Sequence, residues 1–175
     1  MNIIIAGCGK VGRALAEQLS KEKHDITVID LKPESIQLVT NAADVRGVVG
    51  NGASYDIQMD AGVDKADLMI AVTNADEVNL LCCLIAKKAG GCQTIARVRN
   101  PVYHHEIHHI KDELGLSMVI NPEWAAAMEM ARLLRFPSAI DIDTFANGRI
   151  ELLRFQLDDK NPLCGHKIRD LDTLS

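Results

Sequence analysis

The chain has 175 residues and a formal net charge of −5, with 47% apolar but only 3% aromatic residues. That is enough for one domain of ordinary size with a small appendage, its core filled by Ile, Val, Leu, Ala and Met. The acidic balance excludes a general nucleic-acid surface, no apolar run approaches a membrane span, and Met1-Asn2-Ile3-Ile4-Ile5 lacks the basic start and long apolar stretch of a signal peptide.

In chain order, residues 2–6 read as a short apolar strand, followed by the loop Gly7-Cys8-Gly9-Lys10-Val11-Gly12. Val11, Leu15 and Leu19, with Ala14 and Ala16, mark an amphipathic helix ending near Lys23, and "DITVID" (25–30) is a second strand. A helix over 33–40 leads to a third strand at 45–49. The loop "GNGAS" (50–54) and a short helix ending near Gly62 precede a fourth strand at 67–72. "TNADEVN" opens a long helix that stops at Gly90-Gly91; residues 94–98 form a fifth strand, 102–113 a His-rich helix and 117–121 a sixth strand. Asn121, Pro122 and Glu123 then start a further helix, as cap, first-turn proline and first-turn acid. Six strands alternating with helices predict an α/β fold, a doubly wound parallel sheet of Rossmann type.

Pro137 breaks the alternation. Beyond it, a hairpin is expected to turn at Asn147-Gly148, and the last segment reads as a loop entering a helix, the opening of an incomplete second subdomain. The expected division is therefore 1–136 and 137–175. The cysteines (Cys8, Cys82, Cys83, Cys92, Cys164) are odd in number and include no C-x-x-C pair. They read as reduced, mostly buried thiols of a cytosolic protein.

The G-x-G-x-x-G spacing falls on Gly7, Gly9 and Gly12, between a strand and a helix. In that setting the first glycine permits the tight turn, the second lets a pyrophosphate reach the backbone, and the third lets the helix approach the sheet. The helix N-terminus supplies free N–H groups and a positive dipole end. Asp30 ends the next strand, where an acid accepts hydrogen bonds from a ribose 2′-hydroxyl and repels a 2′-phosphate. This favours NAD over NADP, a preference that nearby Lys32 tempers. The packing alternative is that the glycines serve only the fold and Asp30 only a cap. Further along the same sheet edge lie Gly50 to Ser54, Thr73-Asn74 and Arg97-Val98-Arg99. The two arginines suit phosphate contacts, or ion pairs with surface acids. Asp76 and Glu77 suit the N-terminus of their helix, and Glu123 that of its own, or a metal or nucleotide contact.

The stretches "MNIIIAGCGKVGRALAEQL", "DITVIDLKPE", "VVGNGAS", "AGVDKADLMIAVTNADEVNLLCCLIAK", "IARVRNP" and "VINPE" cover about the first 135 residues. In them the chain resembles the TrkA family, regulatory subunits of Trk-type potassium uptake systems built on the RCK/KTN nucleotide-binding domain. "LDDKNPLCGHKIRDL" is similar to the start of that family's C-terminal ligand-binding subdomain. The resemblance implies a non-enzymatic regulatory subunit, cytoplasmic and peripheral on the inner face of the membrane. It would assemble as a homodimer or ring, partner a Trk-type membrane potassium transporter subunit, and bind NAD(H), with ATP/ADP as the alternative. The residues it assigns to the cofactor are Gly7, Gly9, Lys10, Val11, Gly12, Asp30, Leu31, Asn51, Gly52, Ser54, Thr73, Asn74, Arg97 and Arg99. It implies no catalytic residue, and Glu123 matches a position where some relatives bind a divalent cation. The other readings are an NAD-dependent oxidoreductase fragment and the gating domain of a potassium channel or antiporter.

One motif points elsewhere. "HHEIHH" (104–109) contains a literal H-E-x-x-H at His105, Glu106 and His109, the zinc-and-base pattern of metalloproteases. Its setting, a crossover helix between two strands with no metzincin continuation, favours a solvated helix face bearing histidines over a zinc hydrolase.

Overall fold

The structure, a computed structural model, describes residues 1–146, 149–158, 161, 163, 164 and 167, apart from the side chains of His104, His105 and His108. It contains two compact units, Met1–Trp124 and Ala125–Ser175.

The first unit is the predicted parallel sheet. Its strands are β1 (Asn2–Ala6), β2 (Asp25–Asp30), β3 (Arg46–Val49), β4 (Leu68–Ala71), β5 (Gln93–Arg97) and β6 (Met118–Ile120), in the order β3-β2-β1-β4-β5-β6. All pairings are parallel, with Ala6 beside both Ile29 and Ala71 in the middle of the sheet. The chain leaves β1 in one direction to build β2 and β3, and returns across it to build β4 to β6. The loops after β1 and β4 therefore diverge, opening a crevice at the C-terminal ends of those strands.

Alternation along the central strands explains the core. Ile3, Ile5, Val28 and Ile70 face one side, where they meet Ala16 of α1 (Lys10–Lys21) and Ile36 and Val39 of α2 (Pro33–Ala42). Ile4, Ala6, Ile29, Met69 and Ala71 face the other, with Cys82, Cys83 and Ala86 of α4 (Asp76–Gly90) and Ile107 of α5 (Pro101–Ile110). Strands covered on both faces read as unbroken apolar runs, as "IIIA" does. The short helix α3 (Tyr55–Asp60) is followed by a 3-10 turn at Val63–Lys65 that the residue pattern did not announce. The His-rich helix is shorter than expected, closing at Ile110 instead of 113. A turn in which Gly115, at φ +66°, donates to Asp112 O redirects the chain into β6.

Helix α6 (Pro122–Arg135) starts as predicted, with the Trp124 amide donating to Asn121 Oδ1 at 3.0 Å. In the second unit, β7 (Ala139–Phe145) and β8 (Ile150–Phe155) form the expected antiparallel hairpin, held outside the ladder by Arg154–Asp141 at 3.2 Å. Its turn, Asn147-Gly148, and most of the predicted loop-to-helix segment lie outside the described residues. Among the described residues no helix is long and apolar enough to cross a membrane.

Candidate functional site: the C-terminal edge of the sheet

The glycine loop runs from the end of β1 into α1. Gly7 has φ +103°, and a Cβ there would lie 2.8 Å from Thr73 N and 2.9 Å from Thr73 Cα, so both conformation and space require glycine. Gly12 is required by closeness alone, since its Cβ would collide with the Gly7 carbonyl. Gly9 differs from both: its φ is −68°, and a Cβ on it would meet nothing within 4 Å. The fold therefore needs two of the three glycines, while the middle one borders open space. Gly9 is also the N-cap of α1, and no side chain caps that helix. Its carbonyl accepts from Arg13, and the first-turn amides of Lys10, Val11 and Gly12 have no intrahelical acceptor. Bare amides at the positive end of a helix dipole, beside an open position, form an anion-binding surface.

Asp30 stands beside this loop at the end of β2. Its Oδ2 accepts the Cys8 amide at 2.7 Å and its Oδ1 the Lys32 amide at 2.9 Å. The carboxylate thus ties the glycine loop to the entrance of α2, and each oxygen keeps a lone pair for a ribose hydroxyl. Burial, with Asp30 nearby, pushes the Cys8 thiol up to about 12, so it stays a neutral packing group. Leu31, next to the acid, is exposed.

Beyond β3, Asn51 is exposed and its Oδ1 accepts the Ala53 amide at 3.0 Å, a local turn that shapes the loop. Ser54 is the N-cap residue of α3 but makes no capping hydrogen bond with its side chain. Gly52 has a different task from lining a cleft. It is buried, its Cβ position lies 3.0 Å from Ala6 Cβ and 3.3 Å from Cys82 Sγ, and its carbonyl accepts from Gln58 Nε2 at 2.7 Å.

At the ends of β4 and β5 the polar residues are bound to one another. The Thr73 hydroxyl donates to Asn79 Oδ1 at 2.7 Å, and the Thr73 amide to the same oxygen at 2.7 Å. Asn79 Nδ2 donates to Arg97 O at 2.9 Å, so this buried carboxamide stitches the β4 loop to the end of β5. The Arg97 guanidinium donates to Thr73 O at 2.8 Å, while its buried Nε has no hydrogen-bond partner. The Arg99 guanidinium donates to Asn74 O and lies 3.7 Å from Asp76 Oδ1. Asp76 Oδ2 accepts the amides of both Arg99 and Asn100 at 2.8 Å. Arg99 thus forms an ion pair, and its acid is nearly buried rather than on the surface. Asp76 does more than favour its own helix: it pins the turn after β5.

The structure thus brings Gly7, Gly9, Lys10, Val11, Gly12, Asp30, Thr73, Asn74, Arg97 and Arg99 to one edge of the sheet. Asn79, Asp76 and Gln58 were missed as its scaffold. The available signal was their position on the buried stripes of α4 and α3, where a polar residue needs a partner. Glu123 is exposed in the first turn of α6. Glu106 is exposed on α5, and His104, His105 and His108 lie outside the described side chains; among the described residues no group of three could hold a metal. A groove of about 490 Å³ does exist at the opposite edge, lined by Lys23, His24, Asp25, Asp44 and Arg46. Its charges are mixed and Arg46 is already bound to Asp60 O at 2.6 Å, so we place the site at the glycine-loop edge.

Comparison with known proteins gives the family of the chain. The TrkA-N domain family model matches residues 3–122. A Trk system potassium uptake protein TrkA homolog of Archaeoglobus fulgidus is 39% identical over 98% of this chain and 39% of its own length. The Trk system potassium uptake protein TrkA of Azorhizobium caulinodans is 34% identical over 99% of this chain and 37% of its own. The chain therefore spans about two fifths of the curated relatives it matches. Among solved structures, the TrkA-N domain of the Escherichia coli inner membrane protein ybaL superposes with a TM-score of 0.67 at 25% identity, covering 76% of this chain and 96% of that one. The GsuK channel bound to NAD (TM-score 0.58, 20% identity, 68% and 21% covered) shares the fold. So does the Shewanella denitrificans Kef C-terminal domain in its AMP-bound form (TM-score 0.64, 21% identity, 78% and 82% covered). On the match over residues 3–122, this chain belongs to the TrkA-N domain family.

Proposed function

We propose that this chain is the nucleotide-sensing part of a regulatory subunit for a membrane potassium uptake system. In this reading it binds NAD(H), or ATP/ADP, at the C-terminal edge of its sheet, and is not an enzyme. Residues 1–136 form the nucleotide domain, and 137–175 the connector hairpin and the opening of a further subdomain. The observation that carries the reading is the pairing of an uncapped α1 with a Gly9 that borders open space, at the point where the sheet order reverses. The bare amides of Lys10 and Val11 would take the pyrophosphate, Asp30 a ribose hydroxyl, and Arg97 and Arg99 the flanking phosphates.

The potassium system enters through the relatives, which bear the Trk uptake name. Nucleotide as ligand is supported by the NAD-bound and AMP-bound neighbours that share the fold. The subunit would sit on the cytoplasmic face of the membrane as a homodimer or ring. A nucleotide with unequal affinity for two arrangements of that assembly would shift their populations, and the transporter would follow.

Calorimetric titration with NADH, NAD, ADP and ATP, the last with and without Mg²⁺, tests the site. Saturable binding that Gly9→Asp abolishes is expected. Equal binding by wild type and Gly9→Asp would remove the glycine loop from the account.

A further inference from the structure

The charge balance of the two arginines goes beyond the existence of the nucleotide site, although it rests on that reading. Arg97 and Arg99 lie at the same edge but in opposite electrostatic states. Arg99, whose side chain is 41% exposed, lies 3.7 Å from the carboxylate of Asp76, whose side chain is 8% exposed. Arg97 has no carboxylate within ion-pair distance among the described residues; its guanidinium is bound to the Thr73 carbonyl and its Nε has no hydrogen-bond partner. Asp76 itself is unevenly satisfied. Its Oδ2 takes two backbone N–H groups, while its buried Oδ1 makes no hydrogen bond and lies 3.7 Å from Arg99 Nε. A carboxylate so withdrawn from water interacts strongly with charges nearby.

We infer that Asp76 is a specificity-determining residue of the nucleotide site. By pairing with Arg99 it removes one cationic charge from the phosphates, and so favours a pyrophosphate diester, as in NAD(H), over a nucleotide with a terminal phosphate. With Asp76 counted against Arg99 and Asp30 against Lys10, the positive charge left at the edge is Arg97 together with roughly half a charge from the α1 N-terminus. That approaches the pyrophosphate of NADH, with about two negative charges. It falls short of ADP and ATP, with about three and four, and their surplus charge meets the buried Asp76. Asp76 also fixes where Arg99 stands, because the Arg99 and Asn100 amides close on its Oδ2.

The test is calorimetric titration of NADH, ADP and Mg²⁺-free ATP into wild type, Asp76→Asn, Arg99→Gln and the double variant. The asparagine retains an oxygen for the two backbone N–H groups and loses only the charge. The ratio of ATP to NADH affinity is expected to rise about tenfold in Asp76→Asn, equivalent to about 1.4 kcal/mol. It falls about tenfold in Arg99→Gln, where the acid is left unbalanced, and returns to within about threefold of wild type in the double variant. A purely structural role for Asp76 would weaken all three nucleotides by a common factor and leave the ratio unchanged, and that result would overturn the inference. If Asp76→Asn fails to fold, Asp76→Ser takes its place: a raised ratio supports the inference and an unchanged one overturns it. A wild-type protein that binds none of the three removes the nucleotide reading and this inference together. A saturable wild-type site with an unchanged ratio removes the inference alone.

Discussion

Adding one methyl group to Gly9 or to Gly12 separates a glycine loop that serves a ligand from one that serves only the fold. In Gly12→Ala the new Cβ collides with the Gly7 carbonyl and comes within 2.9 Å of Gly7 C and 3.3 Å of Val72 Cγ2. The nearest atoms are backbone and cannot rotate aside, so α1 must lift from the sheet. Overpacking of this kind costs about 3 kcal/mol, which for a chain of this size lowers Tm by roughly 6–12 °C. In Gly9→Ala the Cβ meets nothing within 4 Å at an ordinary φ of −68°. The smaller unfolded-state entropy stabilises the variant by about 0.4–1 kcal/mol. Alanine's weakness as an N-cap offsets a similar amount, so Tm stays within roughly 2 °C of wild type. The methyl group nevertheless occupies the approach to the amides of Lys10 and Val11. Losing a charge-assisted contact there costs about 2 kcal/mol, or roughly thirtyfold in Kd for NADH. Thermal melts by circular dichroism, with titration calorimetry on the same samples, read both effects. If Gly9→Ala loses as much stability as Gly12→Ala, or binds NADH as tightly as wild type, the reasoning fails.

Asn79→Leu leaves the Thr73 amide and the Arg97 carbonyl without their partner and should cost about 3 kcal/mol, lowering Tm by roughly 6–12 °C; an unchanged melt would show that the carboxamide is dispensable. Under native conditions only Cys164 should react promptly with a thiol reagent, because Cys8, Cys82, Cys83 and Cys92 are buried and their thiols are pushed upward. Mass spectrometry that found Cys8 labelled as fast as Cys164 would contradict the packing. The thiols of Cys8 and Cys82 are raised from 9.0 to about 12, so above pH 9 the unfolded chain ionises while the folded one holds its protons. Stability is therefore complete below pH 9 and falls by about 1.4 kcal/mol per pH unit for each such thiol on the way to 12. Urea unfolding of Cys8→Ala across pH 9–11 should show the slope reduced by one thiol's share.

The sheet could be read from the residues because its signals are local. "IIIA" followed by G-x-G-x-x-G, and "DITVID" closed by an acid, each announce an element and its terminus within a few positions. The connections were read less well for the same reason. The 3-10 turn at Val63–Lys65 and the early end of α5 rest on single local turns, such as the one closed by Gly115 N donating to Asp112 O, that no apolar periodicity encodes. The site shows the same division. Gly7, Gly9, Gly12 and Asp30 form a spaced pattern in the chain, whereas Asn79, Gln58 and Asp76 resemble ordinary polar residues until their helices turn them inward. In the sequence Gly52 reads as a ligand residue because its loop lies at the right edge. Only the packing of Ala6 and Cys82 against it reveals that it faces the core.

The most direct measurement is an amide-resolved NMR titration of the 175-residue chain with NADH. The account predicts saturable shifts at Gly9, Lys10, Val11, Asp30, Thr73 and Arg99, with Lys23, His24 and Arg46 at the opposite edge unmoved. Shifts confined to that opposite edge, or none at millimolar NADH, would contradict it.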